Sequence, residues 1–182
     1  MRCLRKNGAD APEVNHYATS DDFDRIFTED MHRLHQLSFL LTRDQEKAER
    51  CFVTGLEDSV KSNRVFREWA RSWAKRNIIQ SAIRELKPGP KRDRSFSSVP
   101  ALPYVGVSDS RDPHLELDSV LRLEDFERFV FVMSILEHYS DYDCTLLLGC
   151  TRRDIEEART RALAHLTDSS KTHFEEAQEI NR

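Results

Sequence analysis

The chain has 182 residues, of which 38% are hydrophobic and 33% are charged, and its formal net charge at pH 7 is -4. This length suffices for one compact domain or two small ones. The N-terminal basic residues are followed by no apolar run, and no apolar stretch is long enough to span a bilayer, so we expect a cytoplasmic protein with no membrane partner.

Proline, glycine and serine divide the chain at a linker. Lys87-Pro88-Gly89-Pro90 ends a helix, and the stretch up to Pro113 has no sustained periodicity. We therefore predict an all-α protein, with two small helical domains joined by a flexible linker. The predicted boundaries are a disordered N-terminal segment 1–19, a helical domain 20–87, a linker 88–111, a second helical domain 112–167 and a polar tail 168–182 that frays or continues the last helix.

The first predicted domain contains three helices with apolar residues at helical spacing. One helix begins at Ser20 as its N-cap and continues through Leu41, a second follows Asp44, and a third runs from about Asn63 to Leu86. On the second and third helices, the side chains expected to point inward are Ala48, Cys51, Phe52, Gly55, Leu56, Val60, Phe66, Trp69, Ala70, Trp73, Ile78, Ala82, Ile83 and Leu86.

The second predicted domain reads as a short helix followed by a helix-turn-helix. The short helix covers Leu115 to Leu121, and the next helix covers Glu127 to Leu136. Asp143 opens a short apolar helix that Gly149 closes, because glycine favours the left-handed backbone of a helix end.

The last helix of this motif carries the arginines. Thr151 is its expected N-cap, with Asp154 in the first turn, where the helix dipole favours a carboxylate. The expected inward side chains are Ile155, Ala158, Ala162, Leu163 and Leu166. The other face carries Arg152, Arg153, Arg159 and Arg161. A positively charged helix presented by such a turn is the usual reader of a DNA major groove.

Charge is distributed unevenly along the chain. Between Lys61 and Arg94 there are eleven basic residues against three acidic ones, whereas from Asp109 onward there are seventeen acidic residues against nine basic ones. A positive stripe attracts a phosphate backbone and an acidic segment repels it. The alternative for the basic stripe is an ordinary solvated helix face.

Cysteine and histidine patterns favour structural interpretations. The four cysteines contain no CxxC pair, and we expect reduced, buried thiols at Cys3, Cys51, Cys144 and Cys150. Glu29, His32 and His35 share a helix face, but a carboxylate-bridged iron site needs a second Glu-x-x-His helix that the chain lacks. We expect surface or boundary histidines, and no metal or cofactor.

The glycines argue against an enzyme. The chain has only five, and they are scattered, so they form neither a phosphate-binding loop nor a nucleophile elbow. We expect a protein without catalytic residues.

Several short motifs follow one another along the chain. Those of the first domain are Leu41-Thr42, Ala48-Glu49, Trp69, Arg76-Asn77 and Arg84. Those of the second domain are Leu123 with Arg128, Val130 and Phe131, then Leu148-Gly149-Cys150-Thr151, then Arg161-Ala162 with Leu166. In these motifs and their order the chain resembles the small two-domain bacterial sigma factors of the extracytoplasmic-function type, over roughly Ser20 to Leu166.

This resemblance implies promoter recognition as a subunit of RNA polymerase. The implied partners are promoter DNA and core RNA polymerase, and an anti-sigma-like inhibitor is common in the family. In the second domain, the implied duplex contacts are Thr151, Arg152, Arg153, Arg159 and Arg161. Ala48 and Glu49 match positions that imply contact with the polymerase.

In the first domain, the implied ligand is a separated DNA strand. The cations that would hold it are Arg71, Lys75, Arg76 and Arg84. Asn77 would bond a base or the backbone, with a local hydrogen bond as the equal alternative. Trp69 and Trp73 would stack on unpaired bases, which gives ~1–3 kcal/mol per base. For these two indoles, core packing is the favoured alternative.

Three segments depart from the family pattern. Asp143-Cys144-Thr145 replaces a Glu-Ile-Ala run, a change conservative enough to keep the helix. Arg50-Cys51-Phe52-Val53 replaces an acidic-hydrophobic-x-Gln run that contacts the polymerase. In the last helix, Glu156 and Glu157 stand where the family usually has Lys and Ser, and carboxylates repel DNA phosphates. Two functional classes therefore stay open: an unusual but active sigma factor, and a sigma-like protein-interaction module that has lost promoter binding.

Overall fold

The computed structural model describes residues 16–62, 64–90 and 113–179, and in the last range it describes side chains for residues 117–167. The described residues are helical, as predicted, and their only extended pairing is a bridge between Tyr17 and Phe66. The predicted N-terminal segment and linker lie largely outside these residues, as does Cys3. The helices are α1 (Ser20–Glu29), α2 (Met31–Thr42), α3 (Gln45–Lys61), α4 (Ala70–Leu86), α5 (Pro113–Arg122), α6 (Asp125–Phe131), α7 (Asp141–Leu148) and α8 (Arg152–Glu179).

The long first helix that the sequence predicts is two helices. Thr19, not Ser20, is the N-cap of α1, where it forms a capping box with Asp22. Asp30 then ends α1 and begins α2, with φ -100° and ψ 16°. The apolar stripe continues across this break, so the hydrophobic periodicity that predicted one helix could not detect it.

Helices α3 and α4 form the closest pair in the first module, which we define as α1 to α4. Asp44 caps α3 as expected, through a 2.9 Å hydrogen bond from the Lys47 amide to its carboxylate. At Gly55 the helices nearly touch, since a Cβ atom there would lie 2.6 Å from Cγ1 of Ile78. The absence of a side chain therefore lets α4 approach the α3 backbone.

Three predicted inward positions of this module are wrong. The third helix starts at Ala70 instead of Asn63, because Arg64 has a left-handed φ of 58° and Arg67–Trp69 form a 3-10 turn. Phe66 and Trp69 precede the helix and are exposed, and Val60, in the last turn of α3, is also exposed. The predicted core positions Ala48, Cys51, Gly55, Ala70, Ile78 and Ala82 are buried.

The second module, α5 to α8, contains the predicted helix-turn-helix. The helix α6 ends in a wider π-helical turn, Val132–Leu136, where Ile135 and Leu136 are exposed. Ser140 caps α7, so Asp143 lies inside its first turn and does not open it. Gly149 ends α7 with φ 64°, as predicted.

The last helix is longer than the helix-turn-helix motif requires. Thr151 forms a capping box with Asp154, through bonds of 3.2 Å from the Asp154 amide and 2.8 Å from the Thr151 amide. Ile155, Ala158 and Ala162 are buried as predicted, whereas Leu163 is 41% exposed. The backbone stays helical to Glu179, so the polar tail continues α8.

The two modules share a continuous apolar core. Buried side chains of α2 and α4 belong to the same cluster as those of α6, α7 and α8. Helix α2 contacts α6 and the π-helical turn, and α4 contacts α7. The modules therefore pack together, while the division into two domains stays a prediction.

Cys51, Cys144, His32 and His35 lie where the sequence indicated, whereas Cys150 is less buried than expected. Cys51 and Cys144 are buried and Cys150 is half-buried, and all three are free thiols. Burial raises the pKa of the Cys144 thiol to about 11. His32 is exposed and His35 is half-buried. No helix in the described part of the chain combines the length and apolar character needed to cross a membrane.

Candidate nucleic-acid interface

The predicted cations of α4 do not form one row. Lys75 and Arg84 are nine residues apart, which at 3.6 residues per turn places them on opposite sides of the helix. Arg71 lies one turn before Lys75, near the junction of α1 and α2. The expectation of a continuous basic stripe along a single face is therefore wrong, because the spacing of the basic residues does not follow the helical repeat.

Carboxylates of the chain itself neutralise three of these four cations. Arg71 pairs with Asp30 and, at 2.6 Å, with Glu29, and these hydrogen bonds raise its pKa. Nζ of Lys75 lies 2.6 Å from Oε2 of Glu137 in the second module. Arg84 pairs with Asp58 of α3. Any nucleic acid would have to displace these carboxylates.

Arg76 lies in a groove between the modules. The groove has a volume of about 550 Å³, and one side of it is lined by Trp69, just before α4, and by Trp73 and Arg76 of α4. The opposite wall is formed by Glu137, Tyr139 and Asp143, on the segment that precedes α7 and on its first turn. Arg76 has no ion pair with a described residue. It is therefore the cation of α4 that a ligand could reach without displacing a carboxylate.

Tyr139 gives this groove a titratable group. Burial raises the pKa of Tyr139 from 10.0 to about 12; Arg76 opposes the shift, while Glu137 and Asp143 add to it. The unfolded chain should lose this phenolic proton near pH 10, whereas the folded chain keeps it until about pH 12. We expect the contribution of Tyr139 to stability to be constant below pH 10 and to fall between these two values.

The Tyr139→Phe variant tests this expectation. Urea unfolding at about pH 9 and about pH 11.5 should show a smaller loss of stability for the variant than for the wild type. Part of the loss should remain, because Cys144 also has a raised pKa, of about 11. Equal losses in the two proteins would contradict the assignment to Tyr139.

The two tryptophans differ in their environment. Trp69 is 59% exposed and packs edge-on against Phe66, with ring centroids 5.3 Å apart, so core packing is the wrong interpretation for it. Phe66 stacks in turn on Tyr17 at 5.0 Å. Trp73 is half-buried, and its Nε1 donates to Oγ of Ser62 at 2.7 Å. An aromatic face for stacking is available at Trp69.

Asn77 is a structural residue and is not presented to solvent. It is 4% exposed, and its amide nitrogen donates to Oγ of Ser59 at 2.9 Å. With the amide reversed, its oxygen accepts from Ser59 and, at 3.1 Å, from Nε1 of Trp73. In either orientation the side chain links α4 to α3, so its expected role in DNA binding is corrected to a role in helix packing.

The arginines of α8 fall into two pairs. Arg152 and Arg153 are exposed and bond carboxylates one turn ahead, at 3.0 Å to Glu156 and 2.7 Å to Glu157. Arg159 and Arg161 instead join α8 to the rest of the module. Arg159 bonds Ser134 and Asp141. Arg161 bonds the buried carboxylate of Glu127 at 2.7 Å.

Burial decides which of these ion pairs a phosphate could replace. Exposed pairs such as Arg152–Glu156 contribute only about 0–1 kcal/mol. Pairs with a buried carboxylate, such as Arg161–Glu127, are more costly to break, because a buried charge would lose its partner. A phosphate could therefore replace the carboxylates at the arginines that are more than half exposed, which are Arg71, Arg84, Arg152 and Arg153. Arg159, itself largely buried, and Arg161, with its buried partner, instead keep α8 attached to the module.

The expected polymerase contacts lie at the start of α3. Ala48 is completely buried, so it cannot touch a partner directly, and its expected role is corrected to packing in the core. Glu49 is exposed and accepts a 2.9 Å hydrogen bond from Gln45. Of the two residues, only Glu49 is available to a partner.

Residues that the sequence did not single out complete the interface. Glu137 and Tyr139 form part of the second wall of the groove. Glu137 also accepts a hydrogen bond from Lys75, which lies 62 residues earlier in the chain. No local spacing could reveal this pair. The bonds from Arg152 and Arg153 to the glutamates four residues later were visible as a helical repeat.

Comparison with protein-family models finds no match for this chain, and comparison with curated proteins finds none either.

Proposed function

We propose that this protein is a sigma-factor-like DNA-binding protein that directs RNA polymerase to promoters. The observation that carries the proposal is the α7–Gly149–α8 helix-turn-helix, whose α8 begins at the Thr151 cap with two exposed arginines. A helix presented in this way can enter a major groove with its N-terminal residues towards the base edges. Arg152 and Arg153 are the residues of α8 placed to contact DNA.

The first module supplies a second feature of nucleic-acid binding. Trp69 offers an exposed aromatic face at the start of α4, and Arg76 lies in the same groove. Binding of a single strand combines such a stacking surface with nearby cations. We assign Trp69 to base stacking and Arg76 to a phosphate.

The self-paired arginines are compatible with this function. An exposed ion pair is worth about 0–1 kcal/mol, and a phosphate that replaces a carboxylate restores a charged hydrogen bond to the same arginine. The cost of exchange at Arg84, Arg152 and Arg153 is therefore small. DNA binding should be weaker than for a helix whose cations are unpaired.

A second candidate function is a sigma-like module that binds another protein. The neutralised cations of α4 and the acidic groove wall at Glu137 and Asp143 favour it, because both reduce attraction for phosphate. In this function the fold would present a surface to polymerase or to a regulator, without contact to promoter DNA.

Binding to a labelled forked DNA, with and without core RNA polymerase, separates the two functions. Arg76→Glu combined with Arg84→Glu should weaken binding to forked DNA by about 10–100-fold. The fall of log affinity with log salt should become less steep, by about 1–2 in slope. The titration should cover about 50 to 200 mM salt, where phosphate contacts have their largest effect. The same double variant should abolish open-complex formation.

A matched control is Arg33→Glu with Arg50→Glu, which makes the same change in net charge on exposed positions of α2 and α3. It should bind forked DNA within about twofold of the wild type. Circular dichroism should show both double variants to be folded. Absence of DNA binding by the wild type at low salt, with retained binding to core polymerase, would favour the protein-interaction function.

A further inference from the structure

One arginine of the first module reaches into the second. Arg43 ends α2 with a left-handed φ of 57° and directs its guanidinium towards the junction of α5 and α6. Nη1 lies 3.3 Å from the carbonyl oxygen of Leu121 and 3.4 Å from that of Leu123, and Nη2 lies 2.8 Å from Oδ1 of Asp125.

One arginine of the second module makes the reciprocal contact. Arg128 on α6 is completely buried, and its Nε and Nη2 lie 3.3 and 3.0 Å from the carbonyl oxygen of Leu41, near the end of α2. The same guanidinium donates to the carbonyl of Leu123 at 2.9 Å and to Asp125 at 2.8 Å. Asp125 therefore receives one arginine from each module.

These reciprocal arginine contacts follow from the chemistry of helix ends. The last carbonyls of a helix have no partner within the helix and carry the negative end of its dipole. Arg43 supplies donors at the end of α5, and Arg128 supplies donors at the end of α2. Each module thus satisfies carbonyl groups of the other.

This contact holds the second module against the face of α4 that would bind nucleic acid. Glu137, whose side chain is 18% exposed, forms an ion pair with the ammonium of Lys75. Tyr139 lies across the groove from Arg76. Glu137 neutralises the ammonium, so Lys75 attracts a strand with its full charge only when Glu137 has left it. The packed arrangement therefore weakens binding at Lys75, although Arg76 stays within reach from the groove.

We propose that Arg43, Asp125 and Arg128 form a clasp that keeps Glu137 of the second module on Lys75, and that full binding of nucleic acid, at Lys75 as well as Arg76, requires the clasp to open. The gating role rests on the function proposed above. The clasp itself is a property of the packing between modules and can be tested without DNA.

Arg43→Ala is the variant that loosens the clasp with least damage to the fold, because Arg43 is 42% exposed whereas Arg128 is buried. Arg50→Ala is its control: Arg50 is also an exposed arginine, and its two carboxylate partners, Glu46 and Glu85, both lie within the first module. Hydrogen exchange of the full chain should be followed in the peptides that cover residues 121–128 and 137–143.

The expected result for Arg43→Ala is faster exchange in both peptides, by about threefold or more, with no change for Arg50→Ala. Faster exchange in residues 121–128 alone would overturn the clasp, since it would mean that Arg43 acts only locally. Unchanged exchange in both peptides would also overturn it.

Forked DNA then tests the gating role. Arg43→Ala should bind it about fivefold more tightly than the wild type, and Arg50→Ala should match the wild type within about twofold. Equal affinity of Arg43→Ala and wild type, with faster exchange at 137–143, would overturn the gating role. If neither protein binds DNA at low salt, the proposed function fails, and the exchange data alone decide whether the clasp exists.

Discussion

Replacement of Arg128 by alanine is expected to lower the free energy of unfolding by about 3–5 kcal/mol. Its side chain is completely buried and donates to the carbonyl groups of Leu41 and Leu123 as well as to Asp125. Alanine would leave both carbonyls without these donors and would create a cavity where the side chain lay. Burial lowers the pKa of Arg128, and Asp125 opposes that shift.

Urea unfolding followed by circular dichroism measures this loss. Arg128→Lys should recover only part of the stability, because one ammonium cannot reach three acceptors that a planar guanidinium spans. The control is Arg25→Ala, which removes an exposed arginine of α1 and should cost less than about 1 kcal/mol, because its buried partner Asp22 keeps Arg67. A loss for Arg128→Ala as small as that of the control would show that the buried contacts contribute little.

Replacement of Asn77 by alanine is expected to cost about 2–3 kcal/mol of stability. The amide is buried between α3 and α4, where it bonds Ser59 and lies within reach of Trp73. Its removal would take away these bonds and leave a small cavity. Because Nε1 of Trp73 also bonds Ser62, the indole keeps one partner.

Thermal or urea unfolding of Asn77→Ala should be compared with Ser72→Ala, an exposed position on the same helix that should change stability by less than about 0.5 kcal/mol. The comparison also separates two roles for Asn77. Normal stability together with weaker binding to forked DNA would contradict the packing role and restore the asparagine as a DNA contact.

Helix ends that depend on local chemistry were predicted correctly where the signal was specific. Gly149 ends α7 in the left-handed conformation, and Thr151 and Asp44 cap the helices that follow them. Each of these features involves residues within three or four positions of one another, so the pattern is complete in the sequence.

Errors arose where the apolar spacing fits two different helix boundaries. The break at Asp30 and the late start of α4 at Ala70 leave the apolar spacing almost unchanged, so periodicity alone could not find them. The consequence for function is large at Trp69, which the longer helix would have placed in the core and which the shorter helix leaves exposed.

The sequence by itself determined that the chain is helical, that a turn at Gly149 presents an arginine-bearing helix, and which helix faces are apolar. These properties depend on residue spacing and on caps only a few residues long. The tertiary structure alone decided which cations remain available. Lys75 bonds Glu137, Arg43 bonds Asp125 and Arg128 bonds Leu41, and each pair is separated by 62 or more residues in the chain. Packing between helices selects such partners, and the order of residues along one helix does not encode that packing.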